Sequence, residues 1–168
     1  MANTFELIAS STVGAGGAAS IDFSSIPSTY TDLQLVTSIR QTIAGTWENM
    51  TIDFNGSTAN QTMRSLITSD GSTTGSQSFS RFYDWINASS STASTFSNVS
   101  MYIPNYAGSN NKSMSIDSVV ENNGTNTFLL MGAYLWSSSA AINRITLTSN
   151  TGTFVQYSTA YLYGVKNA

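Results

Sequence analysis

Apolar side chains recur at every second position along nearly the whole chain, and no segment holds a helical period for long. Leu33, Leu35, Thr37 and Ile39 alternate against Asp32, Gln34, Val36 and Ser38. Met50, Ile52 and Phe54 repeat the pattern up to the turn signal Asn55-Gly56. Similar runs start at Phe5 and Leu7, at Ile21 and Phe23, and at Met63. In the second half they occupy Phe96–Ile103, Met114–Val120, Phe128–Trp136, Ile145–Leu147 and Phe154–Val165. A period of two turns one side of each run into a core and the other into water, as a strand does and a helix does not. About ten short strands separated by Gly, Asn and Ser turns predict an all-β chain: an antiparallel β-sandwich, jelly-roll-like. At 168 residues the whole of 1–168 reads as one sandwich domain, long enough to bury a core without disulfides.

Two regions depart from simple alternation. Phe128–Trp136 is apolar on both sides, which predicts a central strand covered on both faces. Residues 70–95 read as an insertion: a long exposed loop over Asp70–Gln77, an aromatic cluster over Phe79–Ile86, then low-complexity sequence over Asn87–Ser94. The cluster is a short helix or an irregular strand. It either plugs an open end of the sandwich or forms a contact surface, because Tyr, Trp and Arg dominate both burial and interface energy. Phe79, Arg81, Phe82, Tyr83 and Trp85 are therefore candidate contact residues. Trp47, in another predicted loop beside Gly45 and Glu48, joins them. So do Phe5 and Leu7, on a terminal strand that can add to a neighbour's sheet edge.

Reactive side chains are scarce. The chain has no His, no Cys and 9% charged residues, while about three in ten are Ser or Thr. Most material for general acid–base pairs, thiol nucleophiles and transition-metal sites is missing, so the reading is a non-enzyme without cofactor or metal. Asp53 alternates with Ile52 and Phe54 and is expected to face solvent, not an acid partner across a cleft. The Gly14–Gly17 segment lacks the Gly-Lys-Ser/Thr ending of a phosphate loop and reads as a turn. Asp70-Gly71-Ser72 lacks the alternating acids of a calcium loop. The net charge is −3, and Arg40, Arg64, Arg81, Lys112, Arg144 and Lys166 are scattered singly, which argues against nucleic acid as a partner. No apolar run approaches the ~20 residues of a spanning helix, and the first residues lack signal-peptide character, which predicts a chain made in the cytoplasm that is soluble or joins a soluble assembly. The seven Asn-x-Ser/Thr triplets, from Asn49 to Asn123, are then a product of composition.

The order of turn and strand blocks resembles a group of small β-rich virion proteins of tailed bacteriophages, particularly phages of marine bacteria and cyanobacteria. The resemblance is carried by Phe5-Glu6-Leu7-Ile8, Ile26-Pro27-Ser28-Thr29-Tyr30-Thr31-Asp32-Leu33 and Asp53-Phe54-Asn55-Gly56-Ser57. It continues through Ile103-Pro104-Asn105-Tyr106, Ser109-Asn110-Asn111-Lys112-Ser113 and the closing stretch Val155–Asn167, the most specific piece. These blocks span nearly the full length but carry no catalytic signature, so no functional residue is transferred. What the resemblance implies is a structural component of the outer particle surface, assembled in the host cytoplasm. The first expectation is a capsid decoration (cement) protein contacting the major capsid protein and its own copies, as a homotrimer or other homo-oligomer. The alternative is a tail-fibre or tail-appendage protein in which Trp47, Tyr83 and Trp85 stack on host glycans.

Overall fold

A computed structural model describes residues 4–124 and 127–166. Thr125, which completes the Asn123 triplet, and Asn167, which ends the closing block, lie outside them. The chain runs through twelve strands: β1 (Phe5–Thr12), β2 (Ser20–Phe23), β3 (Asp32–Ile39), β4 (Trp47–Phe54), β5 (Gln61–Ser69) and β6 (Thr73–Phe79), then β7 (Tyr83–Asn87), β8 (Ser97–Ile103), β9 (Lys112–Val120), β10 (Phe128–Trp136), β11 (Ile145–Ser149) and β12 (Thr159–Val165). All named strand pairs are antiparallel. They form an eight-stranded sheet, β1-β12-β3-β8-β9-β10-β5-β6, and a four-stranded sheet, β2-β11-β4-β7.

From β2 onward the chain crosses between the sheets in jelly-roll succession: small, large, small, then the β5–β6 hairpin in the large sheet, then small again. The departure comes next. Where a jelly roll has one strand, this chain inserts the meander β8–β9–β10, and β1 and β12 extend the same sheet on the far side of β3. The large sheet therefore has twice as many strands as the sheet that covers it.

The alternation read from sequence is the observed inward face. Leu33, Leu35 and Ile39 of β3, Met114 and Ile116 of β9, and Val99, Met101 and Ile103 of β8 enter one hydrophobic core with Met50, Ile52 and Phe54 of β4. Aromatic rings close the gap between the sheets. Phe54 meets Trp136 edge-on at 5.6 Å, and Phe82 stacks on Tyr134 at 4.9 Å. Such pairs contribute about 0.5–1.5 kcal/mol each beyond their area.

Several sequence expectations need correction. Asp70–Gln77 is not a long loop: only Asp70–Ser72 turn, with Asp70 (φ 59°) and Gly71 (φ 65°) both left-handed, and β6 then pairs with β5. The strand was hidden because its residues are small and polar, leaving no hydrophobic alternation to read. The aromatic cluster is not helical. It ends β6, turns at Ser80-Arg81 and becomes β7 of the opposite sheet. Trp47 begins β4 and does not sit in a loop. The last strand is shorter than Phe154–Val165, because Tyr157 takes a positive φ of 71° and breaks it before β12. β10 is central, between β9 and β5, but covered on one face only: Phe128, Leu130, Tyr134 and Trp136 are buried while Leu129, Met131 and Ala133 are exposed.

Candidate functional site

The outward surface of the large sheet concentrates the exposed large apolar side chains. At one end lies β1, whose outer edge has no strand partner among the described residues. Phe5 (55% exposed) and Leu7 (51%) project there, opposite Val165 and Tyr163 of β12. A bulge at Ile8 re-phases the strand, so that Ile8 and Ala9 pack against the core and Phe5 and Leu7 stay outside. Tyr161 and Tyr163 continue this patch with stacked rings 6.5 Å apart. Glu6 on the same strand pairs with Lys166 at 2.6 Å, which holds the Glu6 carboxyl below its ordinary range.

At the other end, Leu129 and Met131 of β10 stand beside Leu66 of β5 and Val119 of β9. Met131 is 61% exposed and Leu66 54%. Between the two ends runs a hydrogen-bonded polar strip. Gln34 donates to the Ser100 hydroxyl at 2.9 Å, and the Tyr102 hydroxyl donates to Asp32 at 2.5 Å. The strip separates two apolar patches on one face.

The sequence-derived contact residues divide sharply by burial. Phe5 and Leu7 are on the surface as described. Phe82 is fully buried and Trp85 is 6% exposed, so both leave the contact set and belong to the core. Trp85 lies 4.9 Å from Phe128 and 6.1 Å from Phe79. Trp47, half-buried, packs on Phe128 at 5.3 Å and on Trp85 at 6.5 Å. Phe79 and Tyr83 are half-buried against each other at 5.6 Å. Arg81 folds back over Tyr83 at 5.9 Å and pairs with Asp53 at 3.4 Å. Asp53 is thus not solvent-facing but largely covered, and burial raises its carboxyl against the pull of Arg81. β7 crosses to the small sheet, where Asp84–Asn87 are buried on both sides of the strand.

Sequence reasoning missed Leu66, Val119, Leu129, Met131 and Tyr161 as surface residues. One signal for part of this group was visible: β10 is apolar on both faces, and a strand that the chain itself covers on one side only still presents the other.

Charge inside the fold is locked into structure. Arg40 donates to the carbonyls of Thr92, Thr95, Ser89 and Ser91 at 2.7–3.1 Å, organising the polar segment that follows β7. Lys112, 1% exposed, donates to the carbonyls of Gly108, Ser138 and Ala140 and lies 5.7 Å from the Trp136 ring centroid. Asp84 is fully buried, and it accepts from the Trp85 amide at 2.9 Å and from the Ser118 hydroxyl. Its second oxygen has no partner, and burial pushes its carboxyl up to about 7. Arg40 and Lys112 are thus spent on backbone carbonyls of the fold.

Comparison with protein-family models, with curated proteins and with solved structures finds no match to this chain.

Proposed function

We propose that this protein is a structural component of a tailed-bacteriophage virion, a decoration (cement) protein that binds the outer surface of the head and ties major-capsid subunits together. The observation that carries the reading is β1. Natural sheets protect their edges with charge, proline or a covering segment, because an open edge recruits another strand. Among the described residues this edge has no partner, and beside the ion-paired Glu6 it bears Phe5 and Leu7, two large apolar side chains more than half exposed. Such an edge suits β-strand addition, with main-chain hydrogen bonds supplying affinity and the two side chains supplying fit. Many weak copies on a shell then act together, and each needs only modest contact area. The resemblance to phage virion proteins supports the same assignment.

The tail-appendage alternative loses the side chains it relied on, since Trp85 is in the core and Trp47 and Tyr83 pack against it. Copy number and location in purified particles test the proposal. Hundreds of copies over the head, with heat-induced DNA loss when the protein is stripped, is the expected result. A few copies at the tail, or absence from particles, overturns it.

A further inference from the structure

We infer that the second apolar patch, on β5, β9 and β10, is a self-association surface that takes another copy of this chain face to face across a two-fold axis. The inference is independent of the capsid reading, which uses the opposite end of the sheet.

The patch has the composition of an interface core. Leu66, Val119, Leu129 and Met131 are contiguous by register: Met131 pairs with Leu66 on one side, and Leu129 pairs with Val119 on the other. All four are exposed. A shallow depression of about 150 Å³ between β10, β5 and β6 opens beside Leu66 and Met131, with Thr68 and Thr74 at its rim. It is large enough to admit an incoming side chain. Centre to centre the four strands from β9 to β6 span about 14 Å, and β10 is about 30 Å long, at ordinary strand spacing and rise. That footprint is roughly half of the ~800 Å² per partner found in stable complexes, in keeping with a weak, reversible dimer.

Charge identifies the occupant. Arg64 and Asp117 are exposed on the same face, on either side of β10. Register sets Arg64 opposite Ala133 and Asp117 opposite Met131, so their Cα atoms are about 12 Å apart by strand geometry, and their midpoint falls over Gly132. Neither is in an ion pair among the described residues. A partner of unlike surface has no reason to match one positive and one negative group placed this way. A second copy matches both at once. A two-fold axis in the interface plane, passing over Gly132 and perpendicular to the Arg64–Asp117 line, brings Arg64 of each copy to Asp117 of the other. The same rotation lays Met131 of one copy over Leu66 of its mate, and the reverse. This is the self-complementarity that an isologous interface requires.

Sedimentation of the purified full chain over a concentration series tests the inference. The expected result is a reversible dimer. Met131→Lys should make it monomeric without altering the circular dichroism spectrum, and Met131→Ser serves the same purpose should the lysine disturb folding. Arg64→Asp and Asp117→Arg should each weaken association about tenfold or more, while the double variant, which restores opposite charges across the axis, should recover it. A monomeric wild-type chain, an assembly that survives substitution at Met131, or a double variant no better than the singles would overturn the inference. A dimer that forms normally but fails to bind heads would instead count against the cement reading alone.

Discussion

Ser118 of β9 donates its hydroxyl to the carboxyl of Asp84 of β7, a hydrogen bond that joins the two sheets inside the core. The acceptor is fully buried, is in no ion pair among the described residues and keeps one oxygen unpaired. A buried acid of this kind is more easily protonated in the folded chain than in the unfolded one.

That difference sets a pH dependence. The folded Asp84 carboxyl titrates at about 7, against 3.8 for an ordinary aspartate, because burial outweighs the hydrogen bonds that lower it. Between those values the folded state holds the extra proton, so the contribution of Asp84 to stability is greatest in acid and falls as pH rises, levelling off above about 7. The span corresponds to roughly 4 kcal/mol at most. Denaturant midpoints of Asp84→Asn from pH 4 to pH 8 should lack this decline. An unchanged slope would show that another group causes it. Ser118→Ala removes a hydrogen bond that favours the charged form, and the decline should then extend to higher pH.

Arg40 holds four backbone carbonyls of residues 89–95. Arg40→Met removes this donor from all four, leaving only Thr92 with its bonds from Thr95, and should destabilise the fold by about 2–4 kcal/mol. Hydrogen exchange should quicken selectively at the amides of residues 88–95. Uniform acceleration across the chain would show that Arg40 acts on the whole fold instead.

Gly164 of β12 lies directly under the Tyr30 ring, and a Cβ at this position would collide with it. Gly164→Ala should cost about 1–3 kcal/mol by thermal denaturation, as other overpacked sites do. Tyr30→Ala should cost stability alone yet relieve the Gly164→Ala penalty when the two are combined. Strictly additive effects would argue against the collision. Lys166, whose ammonium sits 5.1 Å from the Tyr30 ring centroid, should gain mobility when the ring is displaced.

Core and contact roles separate by substitution. Trp85→Ala should lose about 3–5 kcal/mol and the folded chain with it, since the indole packs between Trp47, Phe79 and Phe128. Leu7→Ser should change stability by no more than about 0.5 kcal/mol while weakening attachment to heads. A Leu7→Ser protein that unfolds like Trp85→Ala would place Leu7 in the fold's own packing.

Strands β3, β4, β8 and β9 were legible because each alternates a large apolar side chain with a polar one. β6 was not, since Thr74, Ser76 and Ser78 offer no contrast and its pairing with β5 is made by the backbone. Phe82 and Trp85 show a different limit. Aromatic residues serve cores and interfaces alike, and only the crossing of the chain from β6 to β7 decides which. The converse held for Met131, whose strand was correctly read as central but whose outer side the chain leaves open. The partners of Asp84 and Arg40 lie on elements that local pattern does not connect.

The pairing of β1 with β12 also governs the order of assembly. Thr12 meets Thr159, and the Lys166 amide donates to the Thr4 carbonyl at 2.9 Å. On a ribosome β1 and β3 therefore wait for β12, which is synthesised long after either of them. A ladder closed across almost the whole chain slows folding, because the entropy of loop closure is spent before the pairing repays it. During that interval the apolar outer patch and two unpaired strands are open together, so high expression at low temperature should favour soluble product less than slow expression does.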